Sequence, residues 1–74
     1  MPKLPAVTPK KLIKVLHQLG FVFHRSKGSH LSFVNPANRR YVVVPFHNRE
    51  LPKGTLLNIL DQANISKEEL TSLL

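Results

Sequence analysis

Arg25, Ser26 and Lys27 lead directly into Gly28-Ser29-His30, and the chain then turns apolar at Leu31. An imidazole titrates near neutral pH, so His30 can take a proton from a hydroxyl or give one to a leaving oxygen. Arg25 and Lys27 can hold an anion beside it and stabilise charge that develops there. A phosphodiester suits that set. RNA brings its own nucleophile in the 2′-hydroxyl, so neither a protein nucleophile nor a metal is required. Ser29 is a candidate donor to the same phosphate. The plain alternative stands beside this reading: a histidine next to a turn is commonly an ordinary polar residue, and a serine in a turn needs no further role.

The rest of the composition narrows the chemistry. The other histidines, His17, His24 and His47, are scattered, and no H-x3-H or HExxH spacing occurs. There is no cysteine, which excludes disulfides and thiolate metal sites. No metal and no cofactor are therefore expected. Eleven Lys and Arg against four Asp and Glu give a net charge of +7, which favours nucleic acid, an acidic protein or an anionic surface as partner. No apolar run approaches membrane-spanning length, so no membrane partner is expected. The opening MPKLPAVTPKK has no apolar h-region, so no signal peptide is read and the cytoplasm is the expected location.

The elements that must position His30 follow from periodicity. The 74 residues make one small domain. Residues 1–7, with two prolines and few anchors, read as a flexible arm, and residues 8–74 as the domain. Thr8 is a candidate N-cap with Pro9 at the first helical position. Leu12, Val15, Leu16 and Leu19 form one apolar stripe, and Gly20 is a natural stop. Lys10, Lys11 and Lys14 are either a solvated face or a phosphate-contacting one. FVFHRS and LSFV around Lys27-Gly28-Ser29 read as a hairpin, Asn35-Pro36-Ala37-Asn38 as a second turn, and YVVVP (41–45) as a third strand. A helix is expected from about Lys53 to Ala63, ending at Asn64. Ser66 with Glu69 forms a capping-box pattern that opens a short helix burying Leu70, Leu73 and Leu74.

The expected fold is α+β, in the order α-β-β-β-α(-α). A three-stranded antiparallel sheet, in order 1-2-3, carries the helices on one face. Register then decides which side chains share a face. A two-residue Gly28-Ser29 turn would pair Lys27 with His30 and split the aromatics between faces. A three-residue loop, 27–29, pairs Ser26 with His30 and His24 with Ser32, and keeps Phe21, Phe23, Leu31 and Phe33 together. The second register is preferred, and it places His24, Ser26, His30 and Ser32 on the open face. In a meander, Arg25, Lys27 and His30 lie at the end of the sheet that His47 follows directly, a cationic corner.

The motifs taken in order resemble the HicA family, the messenger-RNA interferases of HicA–HicB toxin–antitoxin pairs. They are LGF (19–21), KGSH (27–30), VVVPFH (42–47), LPKGTLLNIL (51–60) and ANIS (63–66). The resemblance runs from Lys10 to Leu70. It implies a double-stranded-RNA-binding-domain-like fold, ribosome-independent endoribonuclease activity on mRNA, and neutralisation by a HicB-type antitoxin that covers the active site. It also implies His30 as the catalytic histidine, after Gly28 and Ser29. Val44, Pro45 and His47 match a second motif. Arg25, Lys27, Ser29 and His47 are the candidate phosphate and RNA contacts. The partner of His30 in proton transfer is left among His47, water and Lys27.

The competing reading is a non-catalytic RNA-binding module of the same fold, which reads phosphates and 2′-hydroxyls. Such domains carry a lysine cluster at the start of the last helix, where this chain offers only Lys53. A basic face that docks an acidic antitoxin is compatible with either. No helix-turn-helix pair suggests a DNA-binding role.

Overall fold

Thr8 opens the first helix. Its backbone is extended (φ −82°, ψ 157°) and its hydroxyl accepts the Lys11 amide at 3.4 Å. Pro9 follows, with a φ already suited to a helix. In the computed structural model, which describes residues 4–74, α1 spans Pro9–Gln18 and buries Leu12, Val15 and Leu16. Gly20, at φ +94°, ends it. The Gly20 amide donates to the His17 carbonyl (3.2 Å) and the Phe21 amide to the Leu16 carbonyl (2.9 Å), the paired bonds of a Schellman stop. A Cβ on Gly20 would stand 3.5 Å from the Asn35 side chain. Buried Asn35 donates to the Leu19 carbonyl (3.1 Å) and accepts the Ala37 amide (2.9 Å), so one amide ties the helix end to the second turn.

The sheet has the expected order, β1 (Val22–Lys27), β2 (His30–Asn35) and β3 (Arg40–Pro45), all antiparallel. The register of the first hairpin corrects the expectation of a three-residue loop. Lys27 pairs with His30, Ser26 with Leu31 and Arg25 with Ser32, so the turn is the two-residue Gly28-Ser29. Gly28 has φ +59° and Ser29 does not have a positive φ, the pattern of a type II′ turn. The aromatics are nevertheless not split. The register shifts between Phe23 and Arg25, leaving His24 as an extra residue in a β-bulge, and beyond it Phe23 pairs with Phe33. One inserted residue achieves what the odd loop was invoked to achieve. Ser26 pairs with Leu31 rather than with His30, and it stays exposed at the border of the open face.

The second hairpin pairs Asn35 with Arg40 and loops through residues 36–39. Arg39 takes the left-handed φ of 60°, its amide bonded to the Asn35 carbonyl at 2.7 Å. α2 spans Lys53–Ala63, and left-handed Asn64 (φ 58°, ψ 45°) stops it as expected. α3 spans Lys67–Leu73, opened by the reciprocal box of Ser66 and Glu69 (3.0 and 3.2 Å). Leu70 is fully buried and Leu73 partly. Leu74, expected in the core, lies just beyond the last helical residue and is half exposed.

The helices cover the sheet face that carries Phe33, Val42 and Val44, which they bury against Leu12, Leu16, Leu56 and Leu70. The segment before α1 is part of this core. The Val7 side chain is wholly buried, its carbonyl accepts the Leu51 amide at 2.8 Å, and Leu4 packs alongside. The expected loose arm therefore does not extend over residues 4–7, because Val7 fills the space between α1 and the approach to α2. That expectation for residues 1–3 lies outside the described residues. No described helix is long and apolar enough to cross a membrane.

Candidate active site

The face opposite the helices is set by alternation. His30, Ser32 and Val34 of β2 point to it, with Pro45, Val43 and Tyr41 opposite them on β3. On the other side of β2, Lys27 stands opposite His30 and Arg25 opposite Ser32. These pairings bring both cations onto the imidazole's face, one strand away. Arg25, Ser26, Lys27, His30, Ser32, Tyr41 and Val43 line one open depression of about 330 Å³.

Each side chain is held there by a local cause. The II′ turn fixes Lys27 against His30 as the closing pair of the hairpin. The Ser29 carbonyl accepts the Phe46 amide at 2.6 Å, which pins the end of β3 under that turn. The bulge re-aims His24. Its ring meets the Tyr41 ring edge-on, with centroids 6.0 Å apart at 77°. His24 and Arg25 thus share a face although adjacent in sequence, which regular pleating forbids and a bulge allows.

The Tyr41 hydroxyl bonds to the Ser32 Oγ at 2.8 Å, and Ser32 is buried beneath it. The Ser32 hydroxyl is the main cause holding the Tyr41 phenol below its ordinary range. Desolvation opposes this, and the nearby positive charge of Arg25 adds to it.

Of the expected site residues, the structure brings together Arg25, Lys27 and His30. Ser29 lies in the turn itself, its side chain exposed. His47 is at the same end of the sheet but outside the depression. It borders a groove with Thr8, Lys10 and Phe46, and its Nδ1 accepts the Arg49 amide at 3.1 Å. His17 is exposed on α1, with its ring edge-on to Phe33 at 5.9 Å. Among the described residues, no group of three or more His, Cys, Asp or Glu is placed to hold a metal ion.

Sequence reasoning missed Tyr41. The signal was available in part: if Asn35 pairs with Arg40, the only tyrosine of the chain falls on the face of His30. That pairing depends on the length of the second loop, which the turn residues alone do not fix.

The comparisons with known proteins bear on what this face serves. Among curated proteins none matches the chain significantly. The family described as the HicA toxin of bacterial toxin–antitoxin systems matches residues 9–65, a span from the first helical residue through the stop of α2 that includes the whole sheet and its open face. The chain belongs to the HicA toxin family.

Proposed function

We propose that this toxin is an endoribonuclease that cleaves messenger RNA in the cytoplasm, with His30 as its general acid–base and Lys27 and Arg25 as its phosphate ligands. The observation that carries the reading is the pairing across the first hairpin. A two-residue turn sets Lys27 opposite His30, and the next pair toward the bulge sets Arg25 opposite Ser32. One imidazole and two cations thus face a single open depression that no described helix covers. Ser29, in the turn, can add a hydroxyl donor, and His47, at the same end of the sheet, a second imidazole.

In the proposed reaction the 2′-hydroxyl oxygen attacks the adjacent phosphorus and loses its proton. The bond from phosphorus to the 5′-oxygen breaks, and that oxygen gains a proton. The products are a 2′,3′-cyclic phosphate and a 5′-hydroxyl. His30 performs one of the two proton transfers, and the open depression admits water for the other. Lys27 and Arg25 stabilise the extra negative charge on the phosphoryl oxygens. A HicB-type antitoxin would silence the toxin by covering this same face, its approach favoured by the charge of +7.

The test is cleavage of an end-labelled single-stranded RNA by purified protein. His30→Ala is expected to lower the rate by roughly 10²- to 10⁴-fold with an unchanged circular dichroism spectrum, since His30 is exposed. Excess chelator is expected to leave cleavage intact. Parental cleavage by His30→Ala would remove the assignment. RNA that is bound tightly but cut by neither protein would favour the non-catalytic binding module.

A further inference from the structure

We propose that Tyr41 is the platform on which a base of single-stranded RNA stacks, next to the phosphate held at His30, with His24 as its buttress. The inference rests on the RNA-cleaving reading and specifies the form of its substrate.

Three observations carry it. Tyr41 is 45% exposed on the one sheet face that no described helix covers. It is nonetheless fixed in place: its hydroxyl is tied to Ser32, and the His24 ring packs against it in a T-shaped pair, centroids 6.0 Å apart. A held aromatic loses little freedom when a ligand stacks on it. Its position also suits a strand. Ser32, where the phenol end sits, is one same-face step along β2 from His30, about 7 Å. Successive nucleotides of an extended single strand are displaced on that scale. Each step has its own cation, Lys27 opposite His30 and Arg25 opposite Ser32. Half-buried Val34 and Val43 supply apolar surface beside the ring.

A duplex keeps its bases stacked on one another and offers the ring nothing to stack on. An unpaired strand offers both faces of every base, and sheets with exposed aromatics read RNA in that way. The bulge acquires a purpose on this account: with the two-residue turn, regular pairing would set His24 opposite Phe33, on the face away from Tyr41.

The experiment is steady-state cleavage of one single-stranded RNA oligonucleotide with a mapped cut site, alongside the same oligonucleotide carrying an abasic site next to the cut. Tyr41→Ala is expected to raise KM roughly 5- to 150-fold, the range of one stacked base, with a much smaller change in kcat. Tyr41→Phe keeps the ring and loses the tether to Ser32, so its loss is smaller. His24→Ala removes only the buttress and raises KM by a lesser factor, which keeps the test open if Tyr41→Ala folds poorly. The abasic substrate is expected to reproduce the Tyr41→Ala loss with the parental protein and to add little to it with Tyr41→Ala.

Tyr41→Phe as damaging as Tyr41→Ala would mean that the hydroxyl, not the ring, is the contact, and would overturn the inference. An equal abasic penalty in both proteins would do the same. Parental KM in Tyr41→Ala, with RNA still cut, refutes the stacking platform and leaves the nuclease standing. A protein that neither cuts nor binds the RNA refutes both.

Discussion

Replacing Gly28 by Ala asks whether the turn before His30 is built as described. Gly28 has φ +59°, and a Cβ built there meets nothing within 4 Å. The cost of the methyl group is therefore the backbone conformation alone. For an L-residue at positive φ that is about 1–2 kcal/mol. The methyl also removes freedom from the unfolded chain, which returns about 0.4–1 kcal/mol. The net expectation is a loss of about 1 kcal/mol, read as a drop of about 4–8 °C in Tm for a domain of this size.

Gly54 supplies the internal control. It lies in the first turn of α2, at ordinary helical φ, and a Cβ there also meets nothing. Gly54→Ala is expected to stabilise the protein by up to about 1 kcal/mol. The same methyl group should thus act with opposite sign at two equally open positions. Urea and thermal unfolding followed by circular dichroism measure both. A Gly28→Ala protein as stable as its parent would mean that the turn is not type II′. The Lys27–His30 pairing, and the site built on it, would then lose their support.

Other outcomes follow from single residues. Val7→Ala should destabilise the chain by about 2 kcal/mol, because the side chain is fully buried; an unchanged denaturation midpoint would detach the segment from the core. Tyr41 is the only tyrosine, so its ionisation can be followed by absorbance in the alkaline range. Its folded midpoint should lie below that of the urea-unfolded chain, with Ser32→Ala raising it more than Arg25→Gln. Because the folded pKa is the lower one, the unfolded chain binds more protons between the two midpoints. Stability should accordingly rise with pH through that window and fall again as pH drops through the folded midpoint; identical midpoints in the two states would contradict the hydrogen bond. RNA cleavage should slow as salt rises, less steeply in Lys27→Gln and Arg25→Gln, whereas a parental salt slope in both variants would remove them as phosphate ligands.

The helices were legible because their signals are local. Thr8-Pro9, the left-handed stop at Asn64 and the Ser66–Glu69 box act within a turn of chain, and all three appear where the spacing put them. The sheet order followed from short connections. Register was not legible, because two rules conflicted. Gly28-Ser29 is a good two-residue turn, yet alternation from it would have put Phe23 on the face opposite Phe33. Sequence offers no sign that a strand will absorb the conflict with one inserted residue, and His24 has no feature that marks it as a bulge. The burial of Val7 was hidden for a related reason. A lone valine between prolines has no periodicity, and only the partner carbonyl–amide bond to Leu51 reveals its place. For the site, His30 and its cations were readable from one short stretch. Tyr41 was not, since its face depends on the length of a loop.

The bulge has a consequence outside the site. β1 is an edge strand of six residues, exposed along its whole length. Such an edge offers unpaired backbone groups to any passing strand, including that of a second copy. Here the ladder is broken at His24, and Arg25 and Lys27 set like charges against an identical strand arriving in either direction. A small basic protein with an uncovered sheet must avoid joining its sheets edge to edge, and the irregularity that aims His24 at Tyr41 also makes β1 a poor template for a fourth strand.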